Sequence, residues 1–176
     1  ELVERTCGEG DSSIELYSFI TRGLRALGTT EFTGHFVLFF TLRYMDLLGI
    51  LPSTGACSRC GSADSASYEV ESSTLRFVCE SCSGYAQPDI SGATAGFTRE
   101  CRVKKFSGFS HEGVPEEEVY LLIGKTADYI EHYYGFRLRT TDMLLRYARD
   151  LNKQKGGCPG SEYNGEPGHN PPPEKG

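Results

Sequence analysis

Apolar residues recur at helical spacing in four stretches of the chain. Leu16, Phe19, Ile20, Leu24 and Leu27 share one face of a 3.6-residue period, Ser12-Ser13-Ile14-Glu15 ahead of them reads as a capping box, and Gly28 stops the run. From Phe36 to Leu48 the apolar residues crowd more than one face, which predicts a helix at the buried centre of the body, ended by Gly49 and Pro52. Pro115 followed by Glu116, Glu117 and Glu118 combines a first-turn proline with acids that complement the helix dipole, so a third helix should run to about Tyr134 and stop at Gly135. A fourth starts at Thr140 or Thr141 and carries Leu144, Leu145, Ala148 and Leu151. Ile90 to Val103 is a weaker helical segment, diluted by Gly92 and Gly96, and Lys104 to Gly113 reads as a loop.

Residues 56–86 break this pattern, being rich in Ser, Cys and Gly, with two short β-prone runs, Ser67 to Val70 and Thr74 to Val78, joined by polar turn residues. The chain therefore reads as mainly α: a helical bundle-like body in two parts, 1–55 and 87–155, with a small four-cysteine module containing a short β-hairpin inserted at 56–86. Gly, Pro and polar residues dominate from Gly156 on, and the tail 156–176 should be disordered. At 176 residues there is room for one core and one small appended module. A first residue that is Glu rather than Met reads as a fragment of a longer protein.

The net charge of -6 argues against a protein that coats nucleic acid over its whole surface, so any such contact must be local. No apolar run reaches the length of a membrane span and no signal peptide pattern opens the chain, which reads as cytosolic. Seven cysteines, an odd number in a chain without a secretory signal, point to metal binding rather than a disulfide framework.

Cys57-Ser58-Arg59-Cys60-Gly61 and Cys79-Glu80-Ser81-Cys82 are two knuckles, each able to turn two sulfurs to one side, with a hairpin-forming stretch between them. That spacing suits a tetrahedral Zn²⁺ on Cys57, Cys60, Cys79 and Cys82. Arg59 adds positive charge beside a site of net charge about -2, and a site filled by four protein ligands leaves no place for water, so the zinc would be structural. The same thiolates could hold iron and sulfur, but the paired spacing favours zinc. A thiol redox protein is the other reading of two Cys-x-x-Cys pairs, and the βαβ pattern that accompanies such pairs is missing. Cys101 reads as a small buried apolar residue, and Cys7 and Cys158 as parts of mobile segments.

Two further stretches are basic. Arg137, Arg139, Arg146, Arg149, Lys153 and Lys155 face only Asp142 and Asp150, and Arg99, Arg102, Lys104 and Lys105 lie beside Phe97 and Phe106. Phosphate or an acidic peptide would suit the first, and single-stranded nucleic acid or an acidic, aromatic-ended peptide the second, while the bland reading of each is a solvated helix face. Tyr129, Tyr133 and Tyr134 read as core packing rather than a stacking platform. Neither His35 nor His132 has a second nitrogen ligand at useful spacing. No phosphate-binding glycine loop, nucleophile elbow or open metal site is present in the sequence, so no enzymatic reading and no small-molecule substrate is indicated.

The chain resembles the C-terminal part of the bacterial RecO family. The resemblance rests on Leu42-Arg43-Tyr44-Met45-Asp46-Leu47-Leu48-Gly49-Ile50-Leu51-Pro52 leading into Cys57-x-x-Cys60-Gly61, then Cys79-x-x-Cys82, then Tyr129-Ile130-Glu131-His132-Tyr133-Tyr134-Gly135-Phe136-Arg137-Leu138-Arg139-Thr140, and it spans roughly Ser13 to Leu151. It implies a helical domain bearing a zinc module, preceded in the family by an OB-fold that this chain lacks. It further implies a nucleoid-associated DNA repair role with three partners: single-stranded DNA, the C-terminal tail of single-strand-binding protein (SSB), and RecR. The work shared with them would be recombinase loading and strand annealing. Where many members carry a glycine pair shortly before the third cysteine, this chain has Leu75 and Arg76. A zinc-ribbon adaptor that binds only proteins is the alternative from a different class.

Overall fold

The computed structural model describes residues 1–8, 13–31, 33–84 and 87–156, with side chains up to residue 150. Helix α1 (Leu2–Thr6) precedes α2 (Ile14–Leu27) and α3 (Thr33–Leu47); strands β1 (Ser67–Glu71) and β2 (Arg76–Cys79) lead into the short α4 (Glu80–Ser83). Strand β3 (Ile90–Ser91), α5 (Gly92–Val103), a 3-10 turn at Phe106–Gly108, α6 (Glu116–Tyr134) and α7 (Arg139–Gly156) complete the order. No helix among the described residues is long and apolar enough to cross a membrane.

Helix α3 is the axis of the body, as its many-sided apolar pattern requires: Phe36, Leu38, Phe39, Leu42, Tyr44 and Met45 are all buried, against α5, α6 and α2. Gly49 beyond its end takes φ +71°, and Gly135 beyond α6 takes φ +74°, the left-handed turn that glycine accepts without a Cβ clash. At α2 and α6 the capping differs from the sequence expectation. Ser13 caps α2, its hydroxyl accepting from the Leu16 amide at 3.2 Å, so Glu15 falls too early to close a capping box, and Ser12 lies outside the described residues. Pro115 stands just before α6 rather than inside it, and its fixed φ of -64° still directs the chain into the first turn.

The sheet has strand order β2-β1-β3, with both pairings antiparallel. The hairpin forms where expected, pairing Tyr68 with Cys79 and Val70 with Phe77, and these four residues are buried. Ile90 and Ser91, expected to belong to a helix, instead extend this sheet beside Tyr68 and Ser67; the helix then starts at Gly92, capped by the Ser91 hydroxyl. At Gly92 a Cβ would lie 2.5 Å from the Ser65 carbonyl oxygen, a backbone approach that only glycine allows.

One hydrophobic core runs through body and hairpin, joining Leu38, Leu42 and Leu122 to Tyr68, Val70, Leu75 and Phe77. Polar ties reinforce it. Lys125 of α6 donates to the Val70 carbonyl at 2.6 Å and pairs with Asp89 at 3.0 Å, while Asp89 accepts from the Val70 amide at 2.7 Å. Glu118 of α6 accepts from the Ser91 amide and hydroxyl, both at 2.9 Å, and from the Thr94 hydroxyl. Residues 157–176, including Cys158, lie outside the described residues, as do all side chains beyond Asp150.

Candidate metal centre and basic surfaces

Each knuckle is shaped by its backbone before its sulfurs meet. In the first, the Cys57 amide donates to the Ser62 carbonyl at 2.7 Å, the Gly61 amide donates back to Cys57 at 2.8 Å, and Gly61 takes φ +77° to make the turn. The Ser58 amide donates to Phe77 at 2.7 Å, which stitches this knuckle to β2. In the second, Cys79 ends β2 and precedes α4, so Cys82 comes round three residues later on the same side. Arg59 donates to the Cys82 carbonyl and bridges the two knuckles.

The sulfurs of Cys57, Cys60, Cys79 and Cys82 all lie within 4.8 Å of one another, and those of Cys60 and Cys79 are 3.7 Å apart. A tetrahedron of thiolates at Zn–S bonds of about 2.3 Å has edges of roughly 3.8 Å. The four cysteines are thus placed to bind a metal ion. Cys57 and Cys79 are buried, Cys82 is half-buried and Cys60 is exposed, so the site opens to solvent on the Cys60 side.

The thiol acidities of the metal-free site are uneven. Burial pushes the Cys57 thiol up, but hydrogen bonds from the backbone of Cys79, Cys60 and Arg59 and from the Cys60 side chain outweigh it and bring it down to about 6. Cys82 is pushed up to about 12 by its hydrogen bonds with the Cys79 and Cys60 side chains and by burial, and Cys79 is raised by burial and by Cys57. Crowded sulfurs cannot all ionise without a cation to offset their mutual repulsion.

Other cysteines differ. Cys101 is buried, and burial raises its thiol far above the usual range. Cys7, expected in a mobile segment, instead sits half-buried at the end of α1 with its sulfur 3.4 Å from the Tyr44 hydroxyl, because the Tyr44 ring reaches out from α3 to hold Thr6 and Cys7. Tyr129 and Tyr134 pack against the core, the Tyr129 hydroxyl donating to the Ile50 carbonyl at 2.7 Å, whereas Tyr133, also expected in the core, is 55% exposed, with its ring against those of Tyr129 and Tyr134.

The basic residues singled out in the sequence divide by what they touch. Arg99 is turned inward, donating to the carbonyls of Gly55 and Ala63, and Gly55 has φ +77° with no room for a Cβ against Arg99. Arg102 pairs with Asp46 at 3.2 Å and Lys104 with Glu100 at 2.6 Å. Lys105 is exposed. Arg137 holds Asp142 through two hydrogen bonds of 2.9 Å, which lowers the Asp142 carboxyl and raises the Arg137 guanidinium. With Arg146, Arg149 and Tyr120 they line a cleft of about 500 Å³ between α6 and α7, while Arg139 is exposed at the start of α7.

A larger trough of about 1150 Å³ runs between α2, α3 and the loop after α5. Lys104 and Lys105 border it together with Arg22 and Arg43, which no sequence pattern singles out; Phe19, Phe39 and Phe106 also line it, as do Glu15 and Asp46. Arg22 and Arg43 stand on separate helices, so no local pattern could have grouped them.

Fold and site together define a mainly helical protein with a four-cysteine metal-binding module built into its core. The family described as Recombination protein O C terminal matches residues 1–142, and the chain belongs to that family. The chain is similar to DNA repair protein RecO of Pelobacter propionicus, 26% identical over 153 residues, which is 85% of this chain and 60% of that protein. It is also similar to DNA repair protein RecO of Caldanaerobacter subterraneus subsp. tengcongensis, 31% identical over 83 residues, or 47% of this chain and 33% of that protein. The matches thus span about three fifths and one third of the length of these relatives. No solved structure matches.

Proposed function

We propose that this chain is the helical, zinc-anchored part of a DNA repair and recombination mediator of the RecO type, with no catalytic chemistry of its own. It would help load recombinase onto single strands coated by SSB and take part in strand annealing, in contact with single-stranded DNA, the SSB C-terminal tail and RecR, in the cytoplasm at the nucleoid. The observation that carries the reading is the family match over residues 1–142, to which the convergence of four sulfurs adds the part that the resemblance requires.

Cys57, Cys60, Cys79 and Cys82 would hold Zn²⁺, which in a closed four-thiolate site supplies a structural cross-link between the two knuckles. Recognition then falls to the surfaces that this cross-link positions. Arg99 and Arg102 would act by shaping the loop and α5, and Lys104, Lys105, Arg137, Arg139, Arg146 and Arg149 by direct contact. The test uses the chain extended to the length of its relatives, titrated with labelled single strands, an SSB C-terminal peptide and RecR. Binding of these partners and faster recombinase loading on SSB-coated strands are expected. Binding of none of them would leave a zinc-ribbon adaptor for other proteins.

A further inference from the structure

We infer that Cys60 is a modification site for peroxide, and that its oxidation ties it to Cys79 in a disulfide that opens the four-cysteine centre. The four sulfurs lie within 4.8 Å of one another but differ in access: Cys57 and Cys79 are buried, Cys82 is half-buried, and Cys60 is exposed. The backbone keeps that side open. Gly61, next to Cys60, takes φ +77°, and a Cβ built there would meet nothing within 4 Å. Arg59, on the other side of Cys60, donates to the Cys82 carbonyl, which fixes a guanidinium between the two knuckles. An accessible sulfur in electropositive surroundings is the setting in which a cysteine reacts. The other cysteines with described side chains are less accessible: Cys101 is buried, and Cys7 is half-buried with its sulfur 3.4 Å from the Tyr44 hydroxyl.

The Cys60 thiolate attacks one oxygen of hydrogen peroxide; the O–O bond breaks, hydroxide leaves, and Cys60 becomes a sulfenic acid. The Cys79 sulfur, 3.7 Å away on the opposite knuckle, then attacks the Cys60 sulfur. The S–S bond forms, the S–O bond breaks, and the second oxygen departs as water with the Cys79 proton, while the first hydroxide takes up the proton that Cys60 had lost. In sum, two thiols are oxidised and one peroxide is reduced to two waters. Closing the gap to a bond of about 2.0 Å needs rotation of the two side chains, which the exposed Cys60 is free to make. Cys57 and Cys82 are then the thiols left, too few for a four-thiolate metal site. Cys57, in the same knuckle as Cys60, is the competing partner; that pairing would leave the two knuckles unlinked.

The test treats the full chain, loaded with zinc and freed of reductant, with hydrogen peroxide in the presence of a coloured zinc chelator. Disulfides are then mapped by alkylation, proteolysis and mass spectrometry. A peptide pair joining Cys60 to Cys79, loss of two free thiols per chain and release of zinc in step with that loss are expected, all reversed by dithiothreitol with added zinc. Cys60→Ser should leave Cys79 open to alkylation after peroxide, and Cys158→Ser should respond as the parent does. Because Cys60→Ser also removes a candidate ligand, the mapping on the unsubstituted chain decides. No disulfide after peroxide, a Cys57–Cys60 pair in place of the cross-knuckle pair, zinc release without the disulfide, or a response that depends on Cys158 overturns the inference. The inference rests on the reading of the four cysteines as a zinc site, and the two fail separately: a chain that takes up no zinc yet links Cys60 to Cys79 removes the zinc reading and supports the modification, whereas a chain that keeps its zinc and its thiols under peroxide does the reverse.

Discussion

Leu75 holds a left-handed backbone, φ +51°, at the end of the hairpin turn, where its amide donates to the Glu71 carbonyl at 2.7 Å. For a residue with a Cβ that conformation costs about 1–2 kcal/mol. The side chain is 2% exposed and joins the core that includes Phe77 and Leu122, and burying a leucine contributes about 1.5–3 kcal/mol. Burial wins, which is how a leucine stands in a left-handed conformation at this turn. Leu75→Gly should therefore relieve the strain yet lower stability by about 1–3 kcal/mol in denaturant titration, because a cavity term adds to the lost burial. A variant as stable as the parent would show that strain dominates at this turn.

The four-cysteine module behaves as one element because its candidate ligands are shared between the knuckle after α3, the end of β2 and α4. Metal binding needs thiolates, and in the metal-free site Cys79 and Cys82 hold their protons at neutral pH while Cys57, at about 6, does not. Binding therefore releases protons, and acid favours the metal-free form. Zinc affinity should fall by roughly tenfold per pH unit for each proton released, measured by competition with a coloured chelator between about pH 8 and 5. A flat profile would mean that the sulfurs do not bind as thiolates. Cys79→Ser should weaken metal binding and loosen β2 and α4 first, visible as faster amide exchange there, with any loss of partner binding following from it. The four long helices α2, α3, α6 and α7 and the hairpin are readable from sequence at this scale, since caps, glycine stops and apolar period act within a turn or two, whereas the short α1 and α4 carry no such signal. The cap of α2 falls one position later than the capping-box pattern suggests, because adjacent serines carry the same local signal. Ile90 and Ser91 form a strand where the local pattern suggests helix, because their partner Tyr68 is remote in sequence and a short pairing leaves no pattern of its own.

Across the whole molecule, Lys125 of α6, which no motif marks, ties the hairpin to the body, while Glu118 in the acidic first turn of α6 holds β3 and the start of α5. Lys125 is mostly buried and ties α6 to both Val70 and Asp89. Replacing it with Met keeps its apolar stem but leaves the Asp89 carboxylate without its cation. Lys125→Met should cost about 1.5–3 kcal/mol, the range for hydrogen bonds to charged groups. The loss should show as hairpin and α6 unfolding at a lower denaturant concentration; an unchanged midpoint would mean that the shared core alone joins them. The long helices, the hairpin and the grouping of four cysteines are written in the chain itself, because each is encoded by neighbours or by a spacing that suits one metal ion. Packing settles the rest: that Arg99 is spent on the carbonyls of Gly55 and Ala63, that Tyr133 faces solvent, and that Arg22 and Arg43 join Lys104 and Lys105 at one trough. The reason is physical: a long polar side chain takes whichever partner comes within about 3 Å, and that choice is made by the meeting of elements distant in sequence.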